Sequence, residues 1–140
     1  MHDLQRSIRL GQPSVAGSQD QNETYRIGDL AREFDITLRT LRFYEDRGLI
    51  HPKRDGSTRL YSDYDRSRLS VILLAKKVGF SLVDIQEVLH IYDRAEELED
   101  AAGKLAARFT EQLDVLKNQK AEIEDAIEQL AETIHSLRQY

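Results

Sequence analysis

The sequence predicts a mainly α protein, in which a winged helix-turn-helix domain is followed by one long helix that pairs with a second copy. Two short amphipathic segments separated by a tight turn lie between positions 27 and 46, and a basic, turn-rich segment follows them. Apolar residues then recur at intervals of three and four through the last third of the chain. We divide the sequence into a flexible tail at 1–23, a winged helix-turn-helix domain at 24–92 and a coiled-coil dimerisation helix at 93–140.

The first helix is predicted by four apolar residues that share one helical face. They are Ile27, Leu30, Ala31 and Phe34. After a brief turn, Thr37 stands where an N-cap hydroxyl would accept a hydrogen bond from an unpaired backbone N–H of a second helix. That helix is expected to reach about Asp46, with Gly48 ending it in a left-handed conformation. Two short helices joined so tightly indicate a helix-turn-helix, although αα-hairpins without DNA-binding function share the pattern.

A basic hairpin is predicted directly after the second helix. Pro52 stops any helix, and Asp55–Gly56 is a turn signal. We expect 49–51 to pair with 59–61 and to place Lys53, Arg54 and Arg59 at or near the tip. A basic hairpin in this position is typical of a wing, whereas in isolation it would be a plain surface turn made soluble by its charges.

Two further helices complete the predicted domain. The first extends from about Asp63 to about Val78. The second begins after Ser81, because Ser81 and Asp84 have the spacing of a capping box.

The strongest periodic signal is a heptad seam in the last third of the chain. The residues assigned to dimerisation are Leu105, Phe109, Leu113, Leu116, Ile123, Ile127, Leu130 and Ile134. A narrow apolar stripe on so long a helix cannot be covered by its own chain, so we expect a second copy to cover it. The alternative is a helix that folds back on its own domain.

Charge is unevenly distributed along the chain. The net charge is −5, yet positions 36–77 hold ten Lys or Arg against five Asp or Glu, and positions 93–140 hold six against twelve. The basic segment coincides with the predicted helix-turn-helix and wing, as expected for a nucleic-acid-binding surface. There is no cysteine, the four histidines are scattered, and no apolar run is long enough to span a membrane. We therefore expect a cytoplasmic protein with no metal, no cofactor and no catalytic constellation, and not an enzyme.

The segment 25–93 resembles the MerR family of bacterial transcription regulators. The matching stretches are Ile27–Ala31, Leu41–Ile50, Arg59–Tyr61 and Val78–Leu82. The resemblance implies a winged helix-turn-helix dimer joined by an antiparallel coiled coil. It also implies a nucleoid-associated, sequence-specific regulator that binds palindromic promoter DNA, distorts it, and works with RNA polymerase at the promoter.

Carried over by position, the resemblance implies a set of DNA-contacting residues. They are Thr37, Arg39, Thr40, Arg42, Tyr44, Lys53, Arg54, Arg59 and Tyr61. A weaker likeness to regulators of branched-chain amino-acid and acyl-CoA breakdown implies an acyl-CoA-like effector. Two other functions stay open: a phage-type, excisionase-like architectural factor, and a coiled-coil module that binds proteins.

Overall fold

The computed structural model describes residues 24–140, and the predicted tail at 1–23 lies outside them. Within these described residues, five helices and three short strands follow one another, which confirms the predicted mainly α winged helix-turn-helix fold with a long C-terminal helix. In chain order they are β1 (Thr24–Arg26), α1 (Ile27–Phe34), α2 (Leu38–Asp46), β2 (Lys53–Asp55), β3 (Thr58–Ser62), α3 (Asp63–Lys77), α4 (Leu82–Asp93) and α5 (Ala101–Arg138).

The wing differs from its predicted strand pairing. The strand β3 lies between β1 and β2 in an antiparallel sheet, and Arg54 is opposite Arg59. The predicted strand at 49–51 is wrong, because Leu49 and Ile50 are both buried in the core and therefore do not alternate as strand residues do. The hairpin instead closes directly around the turn at Gly56, whose φ of 64° suits a short hairpin loop.

The predicted helix ends are confirmed where local signals set them. The Thr37 hydroxyl accepts a hydrogen bond from the Thr40 N–H at 3.1 Å, so Thr37 is the N-cap of α2. Gly48 has a φ of 72° just after that helix. The capping box at the start of α4 is present, with the Ser81 hydroxyl accepting from the Asp84 N–H at 3.2 Å.

One core joins the winged domain to the start of α5. Its fully buried aliphatic members include Leu30, Leu41, Leu69, Val71, Ile72 and Val88. Arg68 is almost fully buried beside this core. Its Nε and Nη2 donate to the Leu49 carbonyl at 3.0 and 2.6 Å, and its Nη1 donates to Asp93, which also accepts from the Tyr64 hydroxyl. The guanidinium therefore ties the backbone after α2 to the end of α4.

The long helix begins at Ala101, later than the predicted start of the coiled-coil segment at 93. Its N-cap is Asp100, whose side chain accepts from the Gly103 N–H at 3.3 Å. The helix holds 38 residues and is about 57 Å long at the usual rise per residue.

The first turns of α5 pack on their own domain, which corrects part of the predicted seam. Leu105 is 3 % exposed and belongs to the core. Phe109 packs against that core and stacks on Phe80 with ring centroids 5.9 Å apart. The inner face of α4 needs an apolar cover, and the start of α5 supplies it. Within the described chain, the predicted seam residues beyond this point are exposed apart from the half-buried Leu116.

Candidate nucleic-acid interface

A cleft of about 470 Å³ separates the wing from the start of α1 and one side of α2. Its lining is rich in arginine. The lining residues are Arg26, Ile27, Gly28, Asp29, Arg32, Arg42, Ser57, Thr58 and Arg59. Asp29 is engaged locally, since it accepts from Arg32 at 2.7 Å and from the Arg26 N–H at 3.1 Å. The cleft is therefore a concave surface with an excess of positive charge.

Glu45 fastens the wing to α2. Its carboxylate accepts from Arg59 Nε at 2.8 Å and lies 3.6 Å from Arg54 Nη2. Because Arg59 is held through Nε, its two terminal nitrogens are not used by this ion pair. The Arg59 guanidinium is thus positioned at the edge of the cleft with donors left for an anion.

The outer face of α2 carries exposed cations and one exposed aromatic ring. Arg39, Arg42, Phe43 and Arg47 are all exposed, and the helical repeat places them on neighbouring positions of one face. Thr37 and Thr40 mark the start of the helix, where their hydroxyl oxygens lie 2.9 Å apart. The Thr37 hydroxyl is engaged as the cap, so its first role is to hold the end of α2.

The structure corrects two predicted DNA contacts. Tyr44 and Tyr61 are only 2 % and 0 % exposed, because each ring points from its element into the core. Burial, and then the negative charge of Glu45, raise the pKa of the Tyr61 hydroxyl to about 12. Both hydroxyls lack a hydrogen-bond partner among the described residues. In this conformation these tyrosines support the surface from below.

The fold brings some predicted site residues together and leaves others apart. Arg42 and Arg59 line the same cleft. Lys53 and Arg54 are exposed on β2, the outer strand of the wing. Sequence reasoning missed Arg26 and Arg32, which enter the cleft because α1 starts beside the wing. Their charge is visible in the sequence, but their position depends on the pairing of β1 with β3.

Among residues 24–140, none of the helices combines the length and the apolar composition that a membrane-spanning segment requires.

Two family models match the chain. One describes a MerR HTH family regulatory protein and matches residues 25–91. The other describes a MerR DNA-binding region and matches residues 66–140, more than half of the chain.

Similar curated proteins are transcriptional regulators. The chain is 44 % identical over 80 residues to the HTH-type transcriptional regulator YfmP of Bacillus subtilis, covering 55 % of each chain. It is 44 % identical over 69 residues to the HTH-type transcriptional regulator ZntR of Escherichia coli, covering 48 % of this chain and 49 % of that protein. The match spans about half the length of these curated relatives.

Two solved structures share the fold. HiNmlR, a MerR family regulator lacking the sensor domain and bound to promoter DNA, is 29 % identical with a TM-score of 0.59, over 76 % of this chain and 80 % of that one. MtaN, the N-terminal part of the Bacillus subtilis multidrug transporter activator, is 29 % identical with a TM-score of 0.61, over 79 % and 97 % of the two chains.

Proposed function

Because the chain belongs to the MerR family of regulatory proteins, we propose that it is a dimeric, sequence-specific transcription regulator that binds palindromic promoter DNA and distorts it. Its role is regulatory and not catalytic. The observation that carries the proposal is the arginine-lined cleft between the wing and the helix-turn-helix.

The cleft has the charge and position expected for a DNA backbone site. Arg26, Arg42 and Arg59 line it together. Arginine donates to phosphate oxygens through a planar fork, and such contacts fix orientation on the duplex without reading sequence. We assign these three arginines to phosphate binding, with Lys53 and Arg54 extending the contact along the wing. Tyr44 and Tyr61 hold the surface in place.

Base reading is assigned to the start of α2. Arg39 and Thr40 follow the N-cap, and the N-terminal part of a recognition helix is the part that contacts base edges in the major groove. An exposed arginine there suits a bidentate contact to guanine. Arg39 would then recognise a base of the operator, whereas Arg42 and Arg59 would position the protein on the DNA backbone.

The exposed stripe of α5 supplies the dimer. We assign Leu113, the half-buried Leu116, Ile123, Ile127, Leu130 and Ile134 to an antiparallel coiled coil with a second copy, and we place Phe109 at the boundary with the winged domain. A two-fold dimer presents two recognition helices, so its operator should be an inverted repeat. Bending and untwisting of the DNA between half-sites then depends on how rigidly the coil holds the two winged domains.

Single substitutions separate the assigned roles. Arg42→Ala or Arg59→Ala should weaken binding to every DNA sequence alike and lower the salt slope by roughly one for each phosphate interaction removed. Arg39→Ala should relax specificity at one position per half-site, by about 1–3 kcal/mol. The measurement is operator and random-sequence affinity across a salt series, and Lys117→Ala is the control because it removes an exposed cation from the long helix.

Two results would count against these roles. If all three arginine variants lowered affinity uniformly, the base-reading role of Arg39 would be wrong. If none differed from Lys117→Ala, the cleft would not be the DNA site.

The promoter-bound dimer is proposed to act with RNA polymerase in the bacterial cytoplasm, in association with the nucleoid. An acyl-CoA-like effector is proposed to bind near the junction of α4 and α5 against the partner's winged domain. There a ligand would bias two dimer geometries if it bound one better than the other. Thermal-shift screening of the DNA-free dimer with acyl-CoAs, followed by operator binding with each hit, tests the effector. The absence of any shift in melting or operator affinity would remove it.

A further inference from the structure

One large apolar side chain lies outside the core on the face of α2 assigned to DNA. Phe43 is 44 % exposed, whereas Leu41 and Tyr44 on either side of it are buried. At 100° per residue, Phe43 lies on the same face as Arg39, one turn earlier. The Phe43 ring therefore contributes little to the packing of the core. It lies beside Arg39, the residue assigned to base reading.

The Phe43 ring is held in place by its neighbours. The Arg47 guanidinium carbon lies 5.1 Å from the ring centroid, within the range of a cation–π contact. The Tyr44 ring supports it from the side, with centroids 5.9 Å apart at an interplanar angle of 59°. A ring fixed before binding loses little conformational freedom when it meets a ligand.

The surroundings indicate what this ring would meet. Exposed cations surround it, with Arg39 and Arg42 on one side and Arg47 on the other. An apolar ring surrounded by cations is complementary to the major groove of DNA. The cations can contact the phosphates along the edges of the groove, and the ring can contact the thymine C5-methyl, which is the apolar group on the base edges. An apolar protein surface would be less well matched, because these guanidinium groups would lose water without gaining anions.

We propose that Phe43 reads the C5-methyl group of one thymine in each operator half-site, with Arg47 holding the ring. This inference rests on the proposed DNA-binding function and adds a methyl-reading position beside the hydrogen-bonding position of Arg39. The recognition helix then specifies two different chemical groups in the groove.

Replacing single thymines with deoxyuridine tests the inference, because that change removes only the methyl group. The full-chain dimer is titrated with its operator, recovered from genomic DNA, and with a series of duplexes carrying one substitution per half-site. We expect one thymine position at which wild-type affinity falls about fourfold per half-site, the equivalent of losing burial of one methyl-sized group. Phe43→Ala should bind the thymine and deoxyuridine duplexes equally, and Phe43→Leu should keep part of the difference.

Val83→Ala is the matched control, since Val83 is an exposed apolar residue on α4. This variant should keep the full wild-type response to deoxyuridine. The inference is overturned if no position responds in the wild type, or if Phe43→Ala responds as strongly as the wild type. It is also overturned if Phe43→Ala weakens the dimer, because the ring would then face protein. Failure of the wild type to bind any DNA duplex would overturn the proposed function itself and this inference with it.

Discussion

The winged domain buries its large apolar side chains, whereas the distal part of the long helix exposes them. In the domain, side chains such as Leu30, Leu69 and Ile72 are fully buried by their own chain. On α5, Ile123 and Ile127 are 59 % and 63 % exposed. The domain therefore buries its core within one chain, whereas the described residues leave the distal stripe uncovered. The two behaviours meet between Phe109 and Leu113.

The junction between these regions is built to be stiff. Gln112 Nε2 donates to the Val78 carbonyl at 2.6 Å. Arg108 bridges the carboxylates of Asp84 and Glu87 at 3.0 and 3.1 Å, and its guanidinium lies over the Phe80 ring. With the start of α5 fixed on the domain, the geometry of the coil would be passed directly to the two recognition helices.

The largest expected effect comes from breaking the distal stripe. Ile127→Asp would place an unpaired charge in each copy of the seam, at a cost on the order of 3–5 kcal/mol per charge. Sedimentation should show dissociation of the dimer. Ala121→Asp introduces the same charge on the opposite side of the helix and should leave the dimer intact. An Ile127→Asp protein that sediments as the wild type would contradict the assignment of the stripe to dimerisation.

A second pair of variants separates the two regions directly. Leu105→Ala opens a cavity in the core of the domain and should lower the free energy of unfolding by about 2–5 kcal/mol. Ile123→Ala should act through the dimer, so its effect on Tm should be largest at high protein concentration and should shrink as the protein is diluted and both proteins dissociate. Thermal unfolding at several protein concentrations measures both. If the Leu105→Ala effect were the more concentration-dependent of the two, Leu105 would belong to the dimer seam after all.

A smaller, pH-dependent effect is expected at the start of α4. Hydrogen bonds from Ser81, and then the Arg108 guanidinium, hold the pKa of Asp84 below its usual value. A carboxyl with a lowered folded pKa stabilises the fold above its unfolded pKa and loses that contribution as the pH falls through the folded value. The stability difference between the wild type and Asp84→Asn should therefore be largest near neutral pH and shrink in acid. An Asp84→Asn stability difference that stayed constant across this pH range would contradict the mechanism.

The helices were predictable because their ends are set locally. Thr37, Gly48 and Ser81 carry their capping signals within a few residues, and the structure uses all three. The wing pairing was not predictable, because a short apolar run such as Leu49–Ile50 fits a strand or a buried loop equally well. The strand β1 was missed, since its three residues show no periodicity.

The positive charge of the site could be predicted from the sequence, but the arrangement and burial of its side chains could not. Leu105 fits the heptad repeat, but that repeat is the same whether a helix packs on its own domain or on a second copy. The directions of the Tyr44 and Tyr61 rings follow from the fold, which buries both. Arg26 joins the cleft only because β1 pairs with β3 beside the wing. Local spacing therefore identifies elements, whereas burial and convergence depend on the packed chain.

The distal stripe should pair two chains into a dimer whose two winged domains bind the two half-sites of one operator. Capture of genomic fragments by the purified full chain, followed by footprinting and sedimentation of the complex, is the decisive test. We expect two protein chains per site, on an inverted repeat whose half-sites are protected on one face of the duplex. A single chain bound to an isolated half-site with full affinity would contradict this joint reading of the operator.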